Sequence, residues 1–195
     1  MDMNKNAVAK NTVDEFFDKS GVAVMGHLFI HDPESGEVYI NKRNAINYET
    51  FSIAIIKALA QKQDGHIYTM AFGNGASTVS GIGTITYLTP NVIGTDAELY
   101  NETYTKTITE DNVEVRHTAG ELYTDMVMRV TLGFGEPSGQ RAFDDAISLE
   151  DDYIFDEIGL KSFDGTILTH VIFHPVQKSL NRIIEIVYTI RASLV

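Results

Sequence analysis

Apolar positions are densest between Tyr153 and Leu194, and there they repeat with the period of β-strands. Over Arg182–Ser193, Ile184, Ile186, Tyr188 and Ile190 fall on one face, and Ile183, Glu185, Val187, Thr189 and Arg191 on the other. One face is apolar throughout and the other is mixed, the pattern of a sheet with one side on a core. Two earlier strands are predicted, Tyr153–Leu160 and Thr166–Phe173, separated by the turn signal Phe163-Asp164-Gly165. Their β-branched runs suit a pleated surface. His174-Pro175 is read as the end of the second strand, because proline cannot donate to a ladder.

The same reading upstream gives a strand over Val22–His31, a turn at Asp32-Pro33-Glu34-Ser35-Gly36 and a return strand over Glu37–Asn41. Asn44–Lys62 carries the main helical pattern, with Asn47 as N-cap. Phe51, Ala54, Ile55, Ala58 and Leu59 follow the i, i+3, i+4 spacing of a buried face. Ile53, Ile56 and Ala60 widen it, so the helix is expected to be covered on more than one side. Lys57 and Lys62 mark the wet side, and Asp64-Gly65 the end. His66–Phe72 reads as a strand, Ala76–Gly83 as a loop, Thr84–Leu88 as a short extended piece, and Pro90–Tyr100 as a long connection. Thr103–Thr109 and Val113–Thr118 read as a pair across Glu110-Asp111-Asn112, followed by a long strand over Leu122–Leu132. Gln140–Asp152 reads as an acidic linker. The expected fold is mainly β: a β-sandwich-like domain of antiparallel strands with one main α-helix at about 44–62 and long loops. Residues 1–20 are expected to form an N-terminal arm or short helix, and 21–195 a single β-rich domain.

Composition narrows the chemistry. The chain of 195 residues has no cysteine, which removes disulfides, thiolate metal sites and cysteine nucleophiles. The formal charge of −12 argues against a surface that grips nucleic acid non-specifically, and suits a channel through which DNA slides. No apolar run is long enough for a membrane span, and the first residues lack the apolar stretch of a secretion signal.

Each candidate site has a plain structural alternative. Ala71-Phe72-Gly73-Asn74-Gly75 with Gly81-Ile82-Gly83 invites a phosphate-loop reading, but no helix and no Gly-Lys-Ser/Thr follows, so a β-turn and mobile loop is preferred. His27 with His31, and His170 with His174, have metal-ligand spacing for a helix. On strands such pairs lie about 13 Å apart, too far for one metal. His66 and His117 add no cluster. Asp144, Asp145, Glu150, Asp151 and Asp152 lack the spacing of a calcium loop. Asp156 and Glu157 are adjacent and are expected to point to opposite faces. No Gly-x-Ser-x-Gly elbow occurs. We therefore expect no catalytic, cofactor-binding or metal residues. A hydrolase would require two carboxylates, or a histidine and a carboxylate, to converge in one pocket.

Three stretches carry a resemblance: Glu37–Glu49 leading into the helix, Ile67–Gly75, and Phe155–Leu160 with His174–Lys178 and the last strand. In that order they resemble structural proteins of tailed-bacteriophage virions, of the neck, tail and fibre-attachment class. The resemblance touches most of the chain from Gly26 onward. It implies a non-enzymatic, β-rich virion component, assembled in the host cytoplasm, that forms a homo-oligomeric ring in the neck or head–tail connector. Its partners would be further copies of itself and neighbouring portal, connector, tail or fibre proteins, with DNA passing through a lumen and no membrane. A baseplate or fibre-anchoring protein is the alternative. A carbohydrate-binding β-sandwich is a third reading, for which Tyr100, Tyr104 and Tyr123 would have to replace the absent tryptophan. Met1–Lys10, Pro90–Tyr100 and Gln140–Asp152 are the segments expected to contact neighbouring subunits.

Overall fold

The computed structural model describes residues 21–139 and 153–195. The expectations placed on Met1–Lys10, on the short helix and on Gln140–Asp152 lie outside these residues.

The fold is mainly β, with antiparallel sheets and, among the described residues, one α-helix, in a sandwich-like arrangement. The strands are β1 Val22–His31, β2 Val38–Arg43, β3 Ala45–Ile46, β4 Ile67–Gly73, β5 Ser77–Val79, β6 Ile85–Tyr87, β7 Glu102–Thr107, β8 Val113–His117, β9 Tyr123–Leu132, β10 Ile154–Ser162, β11 Ile167–Gln177 and β12 Ile184–Leu194; helix α1 spans Tyr48–Leu59. One sheet has the order β2-β1-β12-β9-β8 and the other β3-β11-β10-β4-β7, while β5 and β6 pair as a separate hairpin.

The core lies between the two sheets. Leu28, Ile30, Met128, Val130, Leu132, Ile186 and Tyr188 of the first sheet pack on Met70, Phe72, Phe155, Ile158, Leu160, Val171 and Phe173 of the second. Alternation in β12 holds as the sequence predicts: Ile184, Ile186, Tyr188 and Ile190 are buried, and the intervening residues are half-exposed. On the outer side of that sheet, Arg191 holds Asp125 through two 2.7 Å bonds. β10 and β11 of the second sheet are covered on both faces. Every residue from Ile154 to Leu160 and from Ile167 to Phe173 is buried, which is why β11 carries apolar residues on both faces and shows no alternation.

Several expectations are corrected. The three C-terminal strands do not share a sheet: β10 and β11 belong to one and β12 to the other. His174-Pro175 does not end β11. The register moves from Glu157↔Ile172 to Phe155↔Val176, so the extra residues bulge out and the missing proline N–H falls in the bulge. Val113–His117 does not pair with the strand before it. β7 pairs with β4 and β8 with β9, so the chain crosses between sheets at a 3-10 turn, Glu110–Asn112. Buried Ile108 sits at that corner, and Asn112 Oδ1 accepts from Thr109 N (3.0 Å). The loop expected over Ala76–Gly83 contains β5, paired with β6.

Helix α1 starts after Asn47, whose side chain accepts from Thr50 N (3.3 Å), as predicted. It ends earlier than expected, and Gln61 takes the left-handed conformation (φ 57). Gly65 serves a different purpose: a Cβ there would stand 2.3 Å from Ala58 N. The buried face also differs. Thr50 and Ala54 are buried, whereas Ile55, Ala58 and Leu59 are exposed. Lys57 stays partly exposed, as expected, and bridges Asp64 (2.6 Å) and Asp164 (3.0 Å) at the surface.

Tyr188 ties the sheets together across the core. Its hydroxyl donates to Thr169 Oγ1 (2.7 Å) and accepts from Asn44 Nδ2 (2.8 Å). Asn44 fits because residue 26 is glycine; a Cβ there would lie 2.1 Å from the Asn44 carboxamide. Either Tyr188→Phe or Gly26→Ala is expected to cost about 1–3 kcal/mol by urea denaturation, through polar groups left unpaired in the core. Wild-type stability in both variants would contradict the tie.

Candidate functional site

β10 carries two acids in an apolar strand, and both are buried: Asp156 is 1% exposed and Glu157 0%. Burying a carboxylate is costly unless donors meet it. Glu157 meets four. Its Oε1 accepts from Asn101 N (2.8 Å) and Gly75 N (3.3 Å), and its Oε2 from Tyr100 N (3.0 Å) and His170 Nε2 (2.9 Å). The Asn91 N–H donates to His170 Nδ1 (2.9 Å), so the hydrogen of the neutral ring sits on Nε2, facing Glu157. Asp156 accepts from Ala76 N (3.1 Å) and from the Ser77 hydroxyl.

The adjacent carboxylates therefore do not serve opposite sides of the molecule. The bulge between Phe155 and Glu157 breaks the alternation, and both side chains hold the segment that follows β4. Burial pushes the Asp156 carboxyl up, against its bonds to Ser77 and Ala76. Burial acts on Glu157 in the same sense, but His170 and the N–H groups of Asn101 and Tyr100 outweigh it, and Glu157 is held below the ordinary carboxylate range.

Glycines let the donors come this close. A Cβ on Gly73 would lie 2.5 Å from Asn101 O and 2.5 Å from Glu157 Oε1, and one on Gly75 would lie 2.8 Å from Asn101 N. Ala71–Gly75 is thus neither a phosphate loop nor a free turn, but a strand end on which the chain around Tyr100 closes. Pro90–Tyr100 is a long connection, as expected. It lies over the second sheet through buried Ala97 and Leu99, which pack with Ala71 and Ile167. Loops with this many donors would be left unpaired without the two carboxylates.

His170 and Glu157 do meet, beside Asp156, but a hydrolase would need such groups in a pocket. They converge inside packed structure and not in a pocket. His170 and Glu157 have no exposed surface, and the chain's own groups occupy both imidazole nitrogens and both carboxylate oxygens. The arrangement clamps loops.

The other candidates stay apart. His27 bonds Asn41 (2.7 Å) and His31 bonds Glu185 (3.2 Å), both on the outer side of the first sheet. His174 meets the Tyr87 hydroxyl (3.0 Å), His117 meets Thr124 (3.1 Å), and His66 stacks among Tyr68 and Phe163. Among the described residues no group of three potential ligands gathers to hold a metal, and no helix is long and apolar enough to cross a membrane. Asp144, Asp145, Glu150, Asp151 and Asp152 lie outside the described residues. Tyr100, Tyr104 and Tyr123 form no common platform: Tyr100 leans on His170, Tyr104 packs on Phe72, and Tyr123 lies under Arg191 on the other sheet.

An open apolar stripe runs along α1. Tyr48, Ile55, Ile56 and Leu59, at i, i+7, i+8 and i+11, point away from the sandwich, and Tyr48, Ile56 and Leu59 are 70%, 65% and 77% exposed. The sequence signals the helix's second apolar side but not which side the chain itself covers. The Glu157 cluster was missed because its members meet only in space. Its available signal was the pair of acids within an otherwise apolar strand.

Comparison with protein-family models, with curated proteins and with solved structures finds no match.

Glu157→Ala is expected to cost about 3–5 kcal/mol, since it strands buried donors. Glu157 stabilises the fold when ionised, so its contribution is full at neutral pH and is lost as pH falls through its depressed value. Asp156 works in the opposite sense, protonation relieving its burial. Glu157→Gln should therefore show a shallower loss of stability than wild type in urea titrations between about pH 7 and pH 3. Parallel acid limbs would contradict the role given to Glu157.

Proposed function

We propose that the protein is a non-enzymatic structural subunit of a tailed-phage virion, working as a homo-oligomeric ring in the neck between portal and tail. The observation that carries the reading is the open stripe on α1. A helix that is apolar on two sides is ordinarily buried on two sides. Here one side packs on the chain's own sheet, and Tyr48, Ile56 and Leu59 of the other are left to water. Contiguous exposed apolar surface of this kind marks a protein–protein contact. The turn residue Phe163, 42% exposed and stacked 4.8 Å from Tyr68, adds an aromatic group near the Lys57–Asp164 bridge. The placement in a virion neck rests on the resemblance of Glu37–Glu49, Ile67–Gly75, and Phe155–Leu160 with His174–Lys178 and the last strand to that class. The charge of −12 suits a lumen that lets DNA pass without holding it.

Light scattering coupled to size exclusion tests the reading. A discrete assembly of the size of a ring is expected for the wild type. Ile56→Asp with Leu59→Asp should weaken assembly by about tenfold or more, with the thermal midpoint of the subunit little changed, because both side chains are already exposed. A trimer would move the protein to a baseplate or fibre anchor. Assembly indifferent to both substitutions would remove α1 from the contact.

A further inference from the structure

The two ends of the sandwich are unlike. Ile30, Phe72, Leu132, Phe155, Phe173 and Ile184 meet at one end, where β1, β4, β9 and β11 finish. The β5–β6 hairpin leaves the body from this end. Its base is fixed by the Ser77–Asp156 bond, by Leu88 N donating to Ala76 O (2.8 Å), and by Tyr87 on His174. Beyond the base its strands pair only with each other among the described residues, and a two-stranded ribbon alone is marginal in water. The tip is Ser80-Gly81-Ile82-Gly83-Thr84, closed by Gly83 N on Ser80 O (2.9 Å). A Cβ built on Gly81 or Gly83 meets nothing within 4 Å, and Ile82 is 90% exposed. An isoleucine is thus held in open solvent between two glycines, with Val79 exposed behind it.

At the opposite end, where β1 begins and β12 ends, there is an open hollow of about 360 Å³. Val22, Leu122, Tyr123, Ala192 and Leu194 line it, with Glu121 beside them. Val22, Leu122 and Leu194 are each more than half exposed. Charge points to the occupant. From Gly65 to Thr95 the chain has no Asp, Glu, Lys or Arg, although its net charge is −12. A partner chosen by charge finds nothing to read on this hairpin. A second copy of an acidic chain, however, can be approached by it without like-charge repulsion.

We infer that the β5–β6 hairpin of one copy seats Ile82 in the hollow formed by Val22, Leu122 and Leu194 of the next copy. The two halves of the contact lie at opposite ends of the subunit, so the contact is head-to-tail, the kind that closes into a ring or runs on as a filament. This rests on the ring reading above and specifies how its subunits meet.

Since the chain has no cysteine, thiol cross-linking can be directed without background. The full chain carrying Ile82→Cys and Leu122→Cys is treated with a short bis-maleimide and resolved on a denaturing gel. A ladder of covalent multimers is expected from the double variant, only dimers from a mixture of the two single variants, and none from either single variant alone. Ile82→Asp should weaken assembly by about tenfold or more while the melting temperature stays that of the wild type, because the Ile82 side chain is 90% exposed. A wild type that assembles without a ladder in the double variant overturns the docking and leaves the ring. A monomeric wild type overturns both. Cross-linking of Ile82→Cys alone overturns the head-to-tail sense. A ladder that appears only when residues 1–20 are deleted assigns the hollow to the chain's own start, and overturns the docking as well.

Discussion

One buried carboxylate sets the outer layer of this fold. Glu157 collects three backbone N–H groups and the His170 ring, and these donors come from the segment after β4, from the chain around Tyr100 and from β11. None of those backbone groups has a strand to pair with at that point. In an interior of low dielectric a charge-assisted bond to each is stronger than in water, and the loss of the common acceptor would strand them together. Asp156 does the same for Ala76 and Ser77, one residue away. The order of the structure is therefore core first and loops second: the sheets bury Phe155 and Ile158, and the two acids between them hold what lies outside.

This arrangement explains why the two sheets look different. The first sheet is wet on its outer side and carries paired charges there, such as Arg191 with Asp125. The second is dry on both sides along β10 and β11, where the Pro90–Tyr100 segment and α1 lie on it. α1 is anchored through Asn47 Nδ2 on Gly94 O (2.8 Å) and Thr50 Oγ1 on Ile167 O (2.6 Å). Those polar ties fix one face of the helix and leave its apolar stripe outward. The proposed ring would use three features of this frame: the stripe on α1, the projecting hairpin and the hollow at the far end.

Much of the frame was legible in the sequence. The period of two in Ile184–Ile190 gave both the strand and its buried face, and Asn47 was a cap because its side chain precedes an apolar helix. The apolar pairs Ile167-Leu168 and Ile172-Phe173 marked a strand, but that it is covered on both sides is seen only in the fold. What was not legible depends on distant partners. Thr103–Thr109 and Val113–Thr118 have strand composition, but nothing local in them says that each pairs with a different sheet. Pro175 was a sound stop signal for a flat ladder and failed because a bulge absorbs it. For α1 the periodicity marked two apolar sides, and only the placement of Thr50 and Ala54 against β11 decided which one faces inward. The candidate site was the least legible part, since Glu157 and His170 are joined to Asn91, Tyr100 and Asn101 by folding alone.

The central claim is that the ionised Glu157 holds the outer layer as a unit, and amide hydrogen exchange tests it most directly. The account predicts that Gly75, Tyr100 and Asn101 are protected to a similar degree at neutral pH. After correction for intrinsic exchange, they should lose that protection together as pH falls through the depressed value of Glu157, while β12 amides keep theirs. Independent protection of these three amides, unmoved by acid, would contradict it.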